Sequence, residues 1–314
     1  MSGAKEGEER PIVLLAALAA NLGIALAKFV AAAITGSSAM LTEGFHSTVD
    51  STNQLLMLYG QKRARRAPDD LHPLGYGREI YFWSFVVAIL IFATGAGLSI
   101  YEGIEHLRRP ADMADPIVNY IVLAVSIALE GGSWFVAMRE FAEEKGSQGW
   151  WQAVRRSKDP TTFVVLFEDS AAIIGLVIAA IGIGLARLTG EPRWDGAASV
   201  AIGLVLGVVA IILARESKGL LIGERADKRL IAAIHHAFDH CPEVTRVGRI
   251  VTVHIAPEQV FAAIDVDFED AVPVGAIEAL IATAEAKLRA DWPEVSALYV
   301  KPKAGLPTLD TRSP

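Results

Sequence analysis

Six apolar runs separated by polar segments fill the chain as far as residue 214, at about 12–40, 41–60, 80–101, 117–138, 162–185 and 197–214. Each is close to the ~20 helical residues that cross a hydrocarbon core, so the pattern predicts six transmembrane helices. Tyr81, Phe82 and Trp83 stand at the start of the third run, and Trp150 and Trp151 stand before the fifth. Aromatic residues at those positions suit a headgroup interface. From residue 215 the rhythm changes. ADKRLIAAIHHAFDHCP reads as an amphipathic helix, and VGRIVTVHIAPEQVFAAIDVDFED as two strands turning at Pro257. PVGAIEALIATAEAKLRADWPEV reads as a second helix and SALYVKPKA as a last short strand. The order α-β-β-α-β predicts a small two-layer α+β domain with its helices on one sheet face.

This pattern divides the chain into an N-terminal tail (1–11), a six-helix membrane domain (12–214), a soluble domain (215–304) and a disordered tail (305–314). The N-terminal MSGAKEGEERP is polar and acidic, and the first apolar run lacks a small-residue cleavage pattern, so no signal peptide is expected. The loops after the second and fourth runs hold five Lys or Arg each, whereas the three opposite loops together hold four. The positive-inside rule then places both termini in the cytoplasm. An inner (plasma) membrane is the expected location.

Composition narrows the function. Of 314 residues 52% are hydrophobic, and the mean hydropathy is +0.37, as suits a membrane protein with a soluble appendage. A net charge of −7 argues against a nucleic-acid partner. Cys241 is the sole cysteine, which rules out an intrachain disulfide and a Cys-rich zinc site. HExxH and GxSxG are both missing, so an enzyme is not expected.

The second run carries Glu43, His46, Asp50 and Asn53 at steps of three, four and three, all on one helical face. Ionisable side chains inside a membrane helix usually face a bundle interior or a water-filled path. His46 and Asp50, one turn apart, form a ready ligand pair for a divalent metal; a structural hydrogen-bond network is the alternative. The fifth run offers Asp169, with Glu168 beside it about 100° around the helix. Such a donor set suits Zn²⁺ first, and also Mn²⁺, Fe²⁺ or Co²⁺. Lys28 in the first run can snorkel or pair with a carboxylate, Asn21 can bond across helices, and Glu130 in the fourth run can pair with Lys28, carry a proton or bond Ser133. The basic loop holds Asp69 and His72, and the first helix of the soluble part holds His236 and His240 one turn apart. Both pairs could bind metal; a solvated loop is the other reading of the first, and a solvated helix face is the commoner reading of the second.

GSSAMLTEGFHSTVDS followed by DDLHPLGYGREIYFWS resembles the second span and following loop of the cation diffusion facilitator family of divalent-metal transporters. The resemblance implies six transmembrane helices, a cytoplasmic ferredoxin-like domain and a homodimer. It also implies a four-ligand transport site from two pairs, each spaced i, i+4. His46 and Asp50 match the first pair. Asp169 matches in the second, but Val165 stands four residues earlier, which leaves Glu168, Glu43 or water to complete the set. In the loop site of some members Asp69 and His72 match, while Tyr76 replaces a second His. The expected activity is export of a divalent cation against inward protons, with no resident cofactor. The imidazole, whose unperturbed pKa is ~6.5, is the natural proton partner. The other reading is a metal-insensitive membrane scaffold or regulator that dimerises through its soluble domain.

Overall fold

In the computed structural model residues 11–110, 117–145, 149 and 158–305 are described. The N-terminal tail 1–10, Trp150, Trp151 and the tail beyond Gly305 lie outside them. Six long helices come first: α1 Pro11–Thr35, α2 Ser38–Ala64, α3 Glu79–Arg108, α4 Ile117–Lys145, α5 Pro160–Thr189 and α6 Arg193–Ile222. In α3 the stretch Ile91–Ala96 is π-helical. By length and composition, four of these helices (α3 to α6) can cross a membrane. α1 is 25 residues long and contains the apolar stretch Asn21–Thr35, whereas α2 is diluted by its buried polar residues.

The helical unit is apolar on the outside and small or polar within. On α1, Leu22, Leu26, Val30 and Ile34 are exposed at four-residue steps, one stripe of large side chains that suits lipid. The opposite face buries Ala25, Lys28, Ala31, Ala32 and Thr35. Without a hydrophobic drive between helices in lipid, close approach of small residues and interhelical hydrogen bonds must hold the bundle. Those bonds are present: Asn21 Nδ2 donates to Gln54 Oε1 at 3.3 Å, Thr35 Oγ1 to Asn119 Oδ1 at 2.8 Å, and Trp134 Nε1 to Ser170 Oγ at 3.0 Å.

The N-terminus of α2 is held from the far end of the sequence. Gly36 turns the chain at φ +71°, a left-handed conformation costly for a residue with a Cβ. Asp195, fully buried in the first turn of α6, then accepts from Ser37 Oγ (2.7 Å), Ser38 N (2.5 Å) and Ala39 N (3.3 Å). The carboxylate satisfies helix-start amides that α2 cannot satisfy itself, at the positive end of its dipole. His106 Nε2 lies 3.9 Å from the same carboxylate. Residues 186–196, read from sequence as a loop, are instead mostly helix, because α5 runs to Thr189 and α6 starts at Arg193.

A second unit comprises Arg63–Tyr81, residues 158–159 and the chain from Lys218. The boundary expected at residue 215 falls within α6, which continues to Ile222. Then follow α7 Lys228–Asp239, β1 Val244–Ala256, β2 Gln259–Phe268, α8 Val274–Asp291 and β3 Val295–Pro302. β1 and β2 form an antiparallel hairpin around Pro257, while β2 and β3 pair in parallel after the α8 crossover, giving the order β1-β2-β3. Alternate residues of β2, Val260, Ala262, Ile264 and Val266, are buried with Leu230, Ile234 and Phe238 of α7 and Leu288 of α8. This period-two burial puts one sheet face in the core. On β2 and β3 the intervening Phe261 and Tyr299 pack ring on ring, 5.3 Å apart. Asp227 caps α7 by accepting from Arg229 N at 2.8 Å.

Candidate metal-transport site

The polar face of α2 points into the helical unit. Glu43, His46 and Asn53 are at most 2% exposed, and the Asp50 side chain is 21% exposed. A cavity of about 250 Å³ lies beside this face, bounded by α1, α2, α4 and α5. Its acidic lining comes from three helices: Asp50 of α2, Glu130 of α4, and Glu168 and Asp169 of α5. Although the two α5 carboxylates point about 100° apart, both reach the cavity because separate walls hold them. Asn53 Nδ2 donates to Glu168 Oε1 at 2.6 Å, and Ser133 Oγ to Asp169 Oδ2 at 3.3 Å. Ser133 therefore serves Asp169 rather than Glu130. Val165 contributes an apolar patch to the same wall.

His46 lies behind Asp50, with Nε2 3.5 Å from Asp50 Oδ2, and it is not one of the cavity-lining residues. Neither of its ring nitrogens has a hydrogen-bond partner; nor do Asp50 Oδ1 and Glu130 Oε2. Buried polar atoms of this kind are rare and each requires a physical reason. Here they supply nitrogen and oxygen lone pairs around one small volume, the donor types of a hard-to-borderline divalent cation. Among the described residues no three His, Cys, Asp or Glu side chains already stand together as a metal-holding group. Glu43 is turned away from this role: Lys28 Nζ donates to its Oε2 at 3.1 Å, and its Oε1 rests where a Cβ on Gly175 would lie 2.5 Å away. Lys28 is fully buried and also donates to Glu130 Oε1 at 2.9 Å. Of the options open in the sequence, pairing therefore wins over snorkelling.

The other candidate pairs have different surroundings. Asp69 accepts from Tyr76 OH (2.5 Å), His72 N (2.7 Å) and Leu71 N (3.1 Å), with His72 Nδ1 at 3.3 Å. Hydrogen bonding from Tyr76, then from the His72 backbone, holds the Asp69 carboxyl below its usual range, and the same bond raises the Tyr76 phenol. The Arg63 and Arg66 guanidiniums lie 5.7 and 5.6 Å from the Tyr76 ring centre. Tyr76, standing where a second His would complete a loop site, closes an exposed turn. His236 and His240 stack with ring centres 4.0 Å apart and line a groove between α7 and α8. Cys241 Sγ donates to Ala237 O at 3.4 Å, and burial pushes its thiol up.

Glu130, Ser133 and the Asn53–Glu168 bond complete a cavity that sequence spacing only partly indicated. Asn53 was visible on the α2 face, and Glu130 as a lone intramembrane carboxylate. Their partners lie in other helices.

Comparison with known proteins bears on the same elements. Residues 14–222 match the family model described as the cation efflux transmembrane domain. The proton-coupled zinc antiporter SLC30A9, mitochondrial, of Xenopus laevis is 34% identical over 247 residues, which is 78% of this chain and 44% of that protein. Metal tolerance protein C4 of Arabidopsis thaliana is 36% identical over 197 residues, 62% of this chain and 43% of that protein. The manganese efflux system protein MneP of Bacillus subtilis is 22% identical over 256 residues, 80% of this chain and 81% of that protein. The chain thus spans less than half the length of the zinc-antiporter and metal-tolerance relatives. Two of these relatives are named as an antiporter and as an efflux system protein. With the membrane helices and the cavity between them, the match identifies the chain as a multi-pass membrane protein of the cation diffusion facilitator family of metal-efflux transporters.

Proposed function

We propose that the chain exports a divalent transition-metal cation from the cytoplasm in exchange for inward-moving protons. Zinc is the first choice, with manganese, iron and cobalt as alternatives. The observation that carries this reading is the apposition of Asp50, Glu168 and Asp169 across an intramembrane cavity, with His46 behind Asp50. His46, Asp50 and Asp169 are the proposed ligands, and Glu168 is the nearest candidate to stand in for the side chain missing at Val165. The named relatives support both zinc and manganese. One nitrogen donor among several oxygens suits either, since affinity alone does not choose the metal.

Cargo and protons compete for the same lone pairs. Facing the cytoplasm, the ligands load metal; facing the other side, protons displace it. Rocking of helices around a site near the midplane gives alternating access. The proposed architecture has six spans, with α1 and α2 joining α3 to α6, and a cytoplasmic ferredoxin-like domain through which two copies pair. The charge bias of the loops supports cytoplasmic termini. An inner (plasma) membrane is proposed, although the SLC30A9 relatives are named mitochondrial; fractionation of the native cell tests it. The transporter relatives weigh against a metal-insensitive scaffold.

Uptake of Zn²⁺, Mn²⁺, Fe²⁺ and Co²⁺ into inside-out vesicles under a proton gradient tests the proposal. One metal should accumulate, and Asp50→Ala and Asp169→Ala should abolish its uptake. Uptake of none of the four by folded wild-type protein would overturn it.

A further inference from the structure

Lys28 does not itself line the acidic cavity, but it bonds two residues that do, Ser47 and Glu130. It is completely buried on the inner face of α1. Its ammonium has three N–H donors, and all three are used, on Glu130 Oε1 at 2.9 Å, Ser47 Oγ at 2.8 Å and Glu43 Oε2 at 3.1 Å. The group thereby joins α1, α2 and α4. Two of its acceptors adjoin the proposed transport site: Ser47 follows His46 in sequence, and both Ser47 and Glu130 line the cavity. The third, Glu43, lies one helical turn before His46 on the same face.

The charge balance gives this arrangement a consequence. Four carboxylates border the cavity: Asp50, Glu130, Glu168 and Asp169. In a poorly polarisable interior, four uncompensated carboxylates would hold a divalent cation hard, since unit charges interact several times more strongly there than in water. A carrier must also release its cargo, so excess affinity costs turnover. Lys28 sits directly on Glu130 and offsets part of that charge. It does so as a tethered group that cannot be carried across with the cargo.

Building on the transport reading above, we propose that Lys28 is a positioning residue, an internal counter-cation that binds Glu130 and so keeps the cavity's hold on the metal weak enough for release. A merely structural pin would behave differently. Breaking a pin from either side weakens binding through misfolding, whereas a counter-cation and its carboxylate shift metal affinity in opposite directions.

The test uses the full chain in detergent for calorimetric titration with Zn²⁺ and with Mn²⁺, and in proteoliposomes for KM and kcat. Lys28→Met should tighten metal binding by roughly tenfold or more, lowering KM and kcat together. Glu130→Gln should weaken binding by a similar factor. The double variant Lys28→Met/Glu130→Gln should return close to the wild-type affinity, a coupling that a double-mutant cycle measures directly. Lys28→Arg, which keeps the charge, should keep the wild-type affinity. If Lys28→Met alone fails to fold, the decision passes to the double variant, in which Glu43 is the one carboxylate left without its cation. A double variant as weak as Glu130→Gln would overturn the proposal, as would a folded Lys28→Met with unchanged or weaker binding. Wild-type protein that moves none of Zn²⁺, Mn²⁺, Fe²⁺ and Co²⁺ would instead remove the transport reading itself, and this inference with it.

Discussion

Two of the candidate pairs set a His and an Asp within one turn of each other, one in the helical unit and one in a loop, and the two have opposite surroundings. His46 and Asp50 are 3.5 Å apart in the helical unit, with His46 only 2% exposed and without a hydrogen bond on either ring nitrogen. Asp69 and His72 are 3.3 Å apart, about half exposed, and tied into a turn by the Tyr76 hydroxyl and two backbone amides. Residue type and spacing are almost the same. The difference lies in what already uses the lone pairs. Water and local donors satisfy the loop pair, so it gains little from a cation. The buried pair retains lone pairs that a cation would satisfy in the place of solvent.

The largest effects should follow that division. Asp50→Ala should abolish proton-driven metal uptake, beyond the roughly 10–100-fold that outer supporting partners contribute. Asp69→Ala should leave uptake at the wild-type rate. Vesicle uptake of the two variants at equal protein level checks this, and equal losses would erase the distinction between the pairs.

Burial alone does not make a carboxylate a transport ligand, and Asp195 sharpens the point. It is as buried as Glu43, yet its oxygens accept from Ser37, Ser38 and Ala39 at the start of α2. Asp195→Ala removes a cap and leaves buried donors unpaired. It should cost about 2–3 kcal/mol, seen as a lower melting temperature in detergent. The cavity carboxylates are exchangeable in this sense and Asp195 is not: Asp169→Ala should melt close to wild type.

A smaller effect is expected at Gly175. A Cβ there would stand 2.5 Å from Glu43 Oε1, so Gly175→Ala must push the carboxylate back toward Lys28 or move α5. Overpacking of this kind typically costs about 1–3 kcal/mol. Metal affinity should change with it, because Glu43 and Glu130 share one ammonium. An unchanged affinity and melting temperature would mean that Glu43 yields freely.

Much of this comparison could be read in the sequence, and the unread part has a common cause. The polar face of α2 follows from the steps between Glu43, His46, Asp50 and Asn53, because helical periodicity is local. The order α7-β1-β2-α8-β3 follows from a change between two local periods. What spacing cannot show is which helix stands opposite. Lys28 meets Glu130 across 102 residues and Asn53 meets Glu168 across 115. Asp195 caps α2 across 157 residues from Ser38, from a stretch whose Gly, Pro and Trp residues read as a loop. The buried Ser, Thr and Asn residues of α2 also lower the hydropathy by which a span is recognised. The placement of His46 behind Asp50 rather than in the cavity wall depends on how helices pack, which no one-dimensional pattern carries.

The finest test of the comparison is the Tyr76 hydroxyl. Its bond to Asp69 is the largest cause of the lowered Asp69 pKa. A carboxylate with a lowered folded-state pKa contributes stability that is present above its unfolded value and is lost as pH falls through the folded one. Tyr76→Phe removes the bond, so the Asp69 pKa should move up toward the ordinary carboxylate range, and the loop should begin to loosen at a higher pH on acidification. Because Asp69 is exposed, solvent screening keeps the stability change small. A pH titration of carboxyl-labelled aspartate by NMR would follow the shift. Metal uptake near neutral pH should be unaffected, since Asp69 is ionised there with or without Tyr76. If Tyr76→Phe instead raised the affinity of the loop for Zn²⁺, the hydroxyl would be holding a competent ligand pair closed, and the loop would belong with the buried pair rather than opposite it.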